Sequence, residues 1–452
     1  MRAATIRALF AGLLVAAPCA AQVQQGSWTS DGYGLLLELA RDTLRAYEVT
    51  SLSCIPSFTA TAVSAPAGAL GAYRFTTAPV TVLLLPDQGP DRARYHFNGA
   101  ASDVVLRRAA QRPAVCDRPT ANTPISNFDV FARTWAEQYG FFDLKKTNWS
   151  AVVAANRPKI TDSTPPAELF AIMRGMIEPL QDAHTYLAGP DASLRFSGSR
   201  PGEHRLQREQ FPRAYDLVGG YLTGGLRKFC EGQLEFGMLA GDIAYLRIRG
   251  FSRYHADGSF DSGLLALEAA LDTIFAGAST WKGLVTDVRI NGGGADPLGL
   301  TIAGRLTDRD YVAYVKEARL DPNDPSRWTP GQTSWVRATN RPGFRGPVVH
   351  LTGIHSVSAA ETFTQALINR KPAVTRVGEN TQGVFSDVLG RRLPNGWRFG
   401  LPNERFVTNG MSYDGPGIPP DVRVAVFPAS DLESGKDGAL VRAIEILSAK
   451  PR

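Results

Sequence analysis

From residue 241 onward, short apolar segments typical of buried strands alternate with segments typical of helices. The strand-like segments include DIAYLRIRGF, WKGLVTDVRI, YVAYVKE and GPVVHLTG, and the helix-like segments include GLLALEAALDTIFAG and SAAETFTQALINR. Strands and helices of these lengths that alternate along a chain favour an α/β fold with a mostly parallel sheet. The sequence therefore predicts an α/β core over residues 241–430, followed by a C-terminal helix and tail over 431–452.

The region before this core divides into two further parts. An aromatic stripe at helical spacing predicts a helical subdomain over 126–190, with Ser126 or Asn127 as its first N-cap and His184 at its exit. The stripe consists of Phe128, Phe131, Trp135 and Tyr139. Residues 191–240 are polar and glycine-rich, which is typical of a linker or the remnant of an insertion.

Residues 22–118 alternate short apolar runs with polar turns, which predicts a β-rich domain, either a small sandwich or a barrel. Cys54 and Cys116 bracket one of its segments and could form a disulfide, which would leave Cys230 unpaired. No catalytic group of residues is apparent there, so the simplest role is structural or one of binding.

The first residues have the pattern of a secretory signal, with a basic start, a short apolar stretch and small residues at a cleavage site after Ala21. The apolar stretch is too short to span a bilayer. Loss of residues 1–21 removes Arg2 and Arg7 and lowers the formal charge from +6 to +4. The remaining basic residues are scattered, which argues against nucleic-acid binding.

In the core, the segment around Ser358 has two interpretations. A serine at the start of a helix, with the N–H of Ala359 beside it, can be a nucleophile with half of an oxyanion hole. The same pattern is also an ordinary N-cap, with Glu361 completing a capping box, and locally that reading is favoured.

The turn NGGG over residues 291–294 also has two interpretations. Its glycines let backbone N–H groups approach a ligand, so one of them could supply the second oxyanion donor. A flexible strand-to-helix turn is the plainer explanation, and phosphate binding is disfavoured because the P-loop pattern is absent.

A base is still required, and the chain has six histidines. By position, His184 and His355 are comparable candidates, and His350 within a strand is expected to face a neighbouring layer. No Cys/His cluster has the spacing of a metal site, so no metal or other cofactor is expected.

Five segments taken together resemble the serine peptidase family of the C-terminal processing proteases and the tricorn protease core, whose fold the retinoid-binding repeats of photoreceptors share. These segments are 182-DAHT-185, 287-DVRINGGG-294, 358-SAAE-361, 378-GENTQG-383 and 414-DGPGIPPD-421. The resemblance covers about 126–430. It implies a crotonase-like, ClpP-type core with a mostly parallel sheet.

The resemblance implies a role for each of these residues in the tricorn-like branch of the family. Ser358 would be the nucleophile, His184 the base and Asp414 the carboxylate that orients the imidazole. Gly293 and Ala359 would donate to the oxyanion, with Gly293 chosen from the three glycines of the turn.

The chain departs from the family pattern at several points. No lysine stands near Val384, so a Ser–Lys dyad is disfavoured. Ala183 replaces an auxiliary serine, Asp414 stands where glutamate is expected, and the space for a PDZ module is too short. The N-terminal β domain could take over substrate capture.

These observations predict an exported serine peptidase that acts on polypeptides, and the export signal together with the family resemblance implies a periplasmic location. The alternative is an inactive family member that binds a peptide or an apolar ligand. An esterase is disfavoured because the G-x-S-x-G pattern is absent.

Overall fold

A computed structural model describes residues 25–66, 68–75, 81–202 and 204–449. The predicted signal segment, residues 1–21, lies outside the described residues. Within the described ranges, no helix combines the length and the apolar character needed to cross a membrane.

The N-terminal domain is a closed antiparallel barrel of eight strands, in which each strand pairs with the next and β1 pairs with β8. The strands are β1 (Gly26–Ser30), β2 (Leu35–Leu39), β3 (Thr43–Val49), β4 (Cys54–Val63), β5 (Gly71–Phe75), β6 (Thr81–Pro86), β7 (Arg92–Phe97) and β8 (Val104–Arg108). Side chains alternate between the interior and solvent, as strand geometry requires, and Trp28, Leu44 and Leu106 fill the interior. The β-rich prediction therefore resolves to a barrel.

A disulfide links Cys54, at the start of β4, to Cys116 in the segment that leaves the barrel. It ties the barrel to the connection that leads into the helices. Cys230 is a free cysteine.

Three helices follow, α1 (Pro124–Gln138), α2 (Trp149–Asn156) and α3 (Pro166–Ile177). The predicted aromatic stripe is buried between them. The expected N-cap at Ser126 or Asn127 is wrong, because Thr123 caps α1 and its hydroxyl accepts from the N–H of Ser126 at 3.1 Å. Pro124 explains the earlier start, since its missing N–H and fixed φ suit the first helical position.

The remaining elements build the core. In chain order they are β9 (Tyr186–Ala188), β10 (Arg195–Ser197), α4 (Phe211–Asp216), β11 (Arg227–Phe229), β12 (Leu234–Leu239), β13 (Ile243–Ile248), α5 (Phe260–Phe275), β14 (Gly283–Asp287), β15 (Ile290–Asn291), α6 (Asp296–Gly304), β16 (Tyr311–Asp321), β17 (Asp324–Trp328), β18 (Gln332–Val336), β19 (Val348–Thr352), β20 (His355–Ser356), α7 (Ala359–Ala366), β21 (Thr375–Gly378), β22 (Val388–Arg392), β23 (Arg398–Pro402), β24 (Glu404–Thr408), β25 (Met411–Ser412), β26 (Val422–Arg423), α8 (Ala429–Ser434) and α9 (Gly438–Ser448).

The central sheet has seven strands in the order β11-β12-β13-β14-β19-β21-β26. The pairs from β13 to β26 are parallel, and the two pairs at the β11 end are antiparallel. Two of these strands precede residue 241, so the segment interpreted as a linker contributes directly to the sheet. Leu234, Phe236 and Met238 alternate there, a period of two that the surrounding polar residues obscure.

Two smaller sheets and the short parallel pair of β15 and β20 complete the core. The strand predicted from YVAYVKE is β16, and it lies outside the parallel sheet, in an antiparallel sheet with β17, β18, β24 and β25. The second sheet has the order β10-β9-β23-β22 and joins the helical subdomain to the core, because β9 directly follows His184 and pairs with β23.

Candidate active site

Ser358 occupies a strained turn between the central sheet and α7. Its backbone angles are φ 58° and ψ −121°, a region that residues with a side chain rarely adopt. A strained strand-to-helix turn presents the nucleophilic serine of α/β-hydrolases above the end of their sheet. Ser358 is partly exposed, so its hydroxyl is presented in a comparable way.

The glycine turn packs directly against Ser358. Gly293 is buried, with φ +95°, and a Cβ built on it would lie 2.6 Å from the Cβ of Ser358 and 3.0 Å from the nitrogen of Ala359. Ala359 is the first residue of α7, so its N–H belongs to the unpaired donors of a helix N-terminus. The structure therefore brings together three predicted residues, Ser358, Gly293 and Ala359.

The predicted oxyanion donor in this turn already has a partner. The N–H of Gly293 donates to Oδ1 of Asn291 at 2.8 Å, and Asn291 is itself anchored through its Nδ2 to the carbonyl of Ile248 at 2.9 Å. Gly294 is exposed. The backbone bonds to Phe251 on either side of it involve the carbonyl of Gly293 and the N–H of Ala295, not the N–H of Gly294. The Gly293 amide can reach an oxyanion only by sharing or leaving its bond to Asn291.

Glu361 connects the serine turn to the following loop. Its buried carboxylate accepts the N–H groups of Gly383 at 2.6 Å, Val384 at 2.9 Å and Ser358 at 3.2 Å. Burial raises the pKa of Glu361 to about 8, although these hydrogen bonds and one from Thr381 act to lower it. All of its contacts are to the surrounding chain, which fits a structural rather than a chemical role.

His184 is held by its own turn and by Tyr139, the residue that follows α1. Oδ1 of Asp182 accepts the backbone N–H of His184 at 2.9 Å, and the hydroxyl of Tyr139 donates to Oδ2 of Asp182 at 3.1 Å. The turn is an Asx-type turn, which orients the backbone without using the imidazole. Asp182, whose role the sequence pattern did not reveal, therefore sets the position of the histidine.

The imidazole of His184 is buried against the loop before β22. Burial lowers its pKa below the ordinary value, although Asp182, Asp387 and the backbone of Ser386 oppose that change. A histidine with a lowered pKa is neutral at neutral pH, the form that a general base requires. Among the described residues, its Nδ1 atom has no hydrogen-bond partner, so no bond joins it to the Ser358 hydroxyl through that atom.

Asp414 lies on the other side of the same loop. Its Oδ2 accepts the hydroxyl of Ser412 at 2.6 Å, and its Oδ1 accepts the N–H of Phe385 at 3.4 Å. Burial raises the pKa of Asp414 to about 7. Within the described part of the chain, its side chain makes no hydrogen bond to His184, although both residues lie beside residues 385–386.

The other histidines in the core are engaged elsewhere. His350 is fully buried and contacts the hydroxyls of Thr286 at 2.8 Å and Thr364 at 2.9 Å. Nε2 of His355 accepts the N–H of Leu206 at 3.0 Å. The two positions that sequence spacing left comparable differ in their contacts, because Nε2 of His355 is engaged by Leu206, whereas Nδ1 of His184 has no hydrogen-bond partner among the described residues.

A charged cluster that sequence reasoning missed lies beside this site. Nζ of Lys316 contacts Asp387 at 2.6 Å and Glu404 at 3.1 Å, and the hydroxyl of Tyr33, from the barrel, donates to Glu404 at 2.6 Å. Burial opposes the charge of Lys316, but Asp387 and Glu404 raise its pKa well above the ordinary value. A lysine that stays charged cannot act as a base, so it does not replace the missing dyad lysine. A single lysine within the strand YVAYVKE offers no sequence signal for this cluster.

The comparisons with known proteins agree with this architecture. Residues 242–424 match the sequence model of Peptidase family S41. Over these residues the chain is similar to the serine peptidases of family S41. No curated protein matches the chain.

Two solved structures illustrate this likeness. A provisionally assigned peptidase from Parabacteroides merdae ATCC 43184 has 26% identity and a TM-score of 0.62, over 73% of this chain and 98% of its own. Mature CPAF complexed with lactacystin has 12% identity and a TM-score of 0.53, over 72% of this chain and 97% of its own. The second likeness concerns the fold alone.

Proposed function

We propose that this protein is an exported peptidase that cleaves polypeptides through Ser358, His184 and Asp414 within a crotonase-like, ClpP-type core. The observation that carries the proposal is the strained Ser358 turn packed against the Gly293 turn, with the buried, neutral His184 bordering the adjoining loop. The secretory pattern of residues 1–21 supports export, and we infer a periplasmic location from it.

In the proposed reaction, Oγ of Ser358 attacks the carbonyl carbon of the scissile peptide bond while His184 accepts its proton. The N–H of Ala359 and an N–H of the glycine turn stabilise the negative oxygen of the tetrahedral intermediate. His184 then gives the proton to the leaving amine, and water releases the acyl group by the same steps. Asp414 balances the charge of the imidazolium. This scheme requires the imidazole of His184 to come within hydrogen-bond distance of the Ser358 hydroxyl. Catalytic hydrogen bonds that are long in the free enzyme often shorten in this way when substrate binds.

A fluorophosphonate probe tests the proposal, because it forms a covalent adduct with an activated serine. The expected result is one adduct, which peptide mapping by mass spectrometry locates on Ser358 and which Ser358→Ala abolishes. An adduct that maps elsewhere and persists in the variant would remove Ser358 from the site. A wild-type protein that neither reacts nor cleaves any polypeptide would favour an inactive binding protein.

The pH dependence tests the acid. We expect kcat/KM to rise with pH through about 7, because burial raises the pKa of Asp414 to about 7 and only the ionised form can balance the imidazolium. Asp414→Asn should lower the plateau by at least about tenfold. The same substitution should also shift the acid limb of the kcat/KM profile to lower pH, because His184, whose pKa lies below its ordinary value, would then be the group that sets this limb.

Asparagine suits this comparison because its amide can keep the contacts to Ser412 and Phe385. If the rise of kcat/KM near pH 7 persists in Asp414→Asn, Asp414 is not the group whose ionisation causes it. Asp296, whose pKa burial also raises to about 7, would then be the group to replace.

A further inference from the structure

A cleft of about 720 Å³ lies between the barrel and the core. Gly294 and Ala295, which continue the glycine turn beside Ser358, form part of its core wall. Asp387, next to the segment that contacts His184, lies on the same wall. The cleft therefore borders residues that adjoin the proposed active site, and about half of its lining comes from the barrel, to which no catalytic role is assigned.

Aromatic side chains form the barrel wall of this cleft. They are Phe58, Phe75, Tyr95 and Phe97. The rings of the first two stack at 4.2 Å, and Phe97 leaves 42% of its surface exposed. Phe58 and Phe75 are half-buried and Tyr95 is buried, so the wall is a largely packed aromatic surface with Phe97 open to the cleft. An apolar lining of this kind is typical of a pocket that binds apolar ligand groups.

The opposite wall contains the free edge of β22, the end strand of its sheet. Val388 faces Pro402 across the pair, and proline has no N–H to donate, so this is a non-hydrogen-bonded pair. The backbone groups of Val388 therefore point away from β23, and by alternation so do those of Gly390 and Arg392. The barrel occupies the far end of this edge, where Glu48 accepts the N–H of Arg392 at 2.7 Å.

The open part of the edge is the end nearest the catalytic residues. Val388 directly follows Asp387, and its side chain is 42% exposed. An unpaired strand edge can receive an extended peptide as an additional strand, with backbone bonds for affinity and side-chain pockets for specificity.

Polar contacts hold the barrel at this position. Asn98 donates to Asp261 at 3.1 Å, and the side chain of Gln332 accepts from the N–H of Asp103 at 2.9 Å and donates to its carbonyl at 2.6 Å. The bond from Tyr33 to Glu404 is a third link. The aromatic wall is thus a fixed part of the cleft.

We propose that the substrate binds as an extended segment along the free edge of β22, with a large apolar or aromatic side chain packed on the aromatic barrel wall. The barrel is then the part of the protein that selects the substrate, and flexible polypeptides with exposed phenylalanine or leucine are the preferred class. This inference rests on the proposed peptidase function.

A series of fluorogenic peptides tests it, identical except for one position that carries Phe, Leu, Ala or Asp and is moved stepwise along the peptide. At one register, the wild-type protein is expected to prefer Phe and Leu over Ala by about tenfold or more in kcat/KM, the effect of burying such a side chain. Phe97→Asp and Val388→Asp should each reduce that preference to about twofold, mainly through KM. The two substitutions lie at exposed positions on opposite walls of the cleft, so neither is expected to disturb folding.

Val63→Asp is the matched control, since Val63 is an exposed strand residue of the barrel that does not line the cleft, and it should keep the wild-type preference. A wild-type protein without preference at any register, or a preference unchanged in both cleft variants, would overturn this inference while leaving the peptidase function intact. A wild-type protein that cleaves nothing and forms no fluorophosphonate adduct would instead overturn the proposed function.

Discussion

Replacing His184 by glutamine is expected to lower the kcat for peptide cleavage by about ten-thousand-fold, the upper range for loss of a general base. Glutamine keeps a similar volume and leaves the backbone bond to Asp182 in place, so the turn should persist. What it lacks is a group that can accept and return a proton near neutral pH. The measurement is steady-state cleavage of an unfolded protein substrate, with thermal unfolding to verify the fold.

His355→Gln is the matched control for this variant. The glutamine oxygen can accept the N–H of Leu206 as Nε2 of His355 does, so activity should stay within about twofold. A larger loss from His355→Gln than from His184→Gln would reverse the assignment of the base. Equal losses would mean that neither imidazole is the proton acceptor.

Gly293→Ala is expected to lower kcat/KM by about a thousand-fold, comparable to the loss of an oxyanion donor. The added methyl group would stand 2.6 Å from the Cβ of Ser358 and 2.9 Å from the carbonyl oxygen of Val357, closer than such atoms can approach. The residue also has φ +95°, which alanine adopts only with strain. The serine turn must therefore shift, and the hydroxyl shifts with it.

Gly292→Ala provides the comparison, because a Cβ at that position meets nothing within 4 Å. Its loss of activity should be far smaller than that of Gly293→Ala. Reaction with the fluorophosphonate probe distinguishes a displaced serine from a protein that has unfolded, since circular dichroism reports only the latter. Wild-type reactivity in Gly293→Ala would show that the serine turn tolerates the movement and that the packing argument is wrong.

Much of the fold follows from local patterns. The alternation of strands and helices beyond residue 241 predicts the α/β core, and the aromatic stripe predicts α1. Local patterns fail where neighbours in space decide, as for β16, which reads as a core strand but pairs in an antiparallel sheet. Its period and apolar content are compatible with either sheet.

The candidate site divides in the same way. The turns around Ser358 and Gly293 carry their own signals, because a strained turn and a close backbone approach need small residues. Lys316 and Asp387 carry none, since a buried ion pair depends on two side chains that are 71 positions apart in the chain. His184 is intermediate, as its sequence context resembles a known family but its spacing does not distinguish it from His355.

By itself, the sequence determined the class of fold, the serine turn, the glycine turn and the two histidines, His184 and His355, that are candidates for the base. Short-range periodicity and backbone restrictions act within a few residues, so local patterns reveal them. Only the tertiary structure decided that Gly293 touches Ser358, that Asp414 and His184 flank one loop, and that the barrel supplies an aromatic wall to the cleft. These are contacts between distant segments. Their geometry depends on how whole domains pack, which no local pattern of residues encodes.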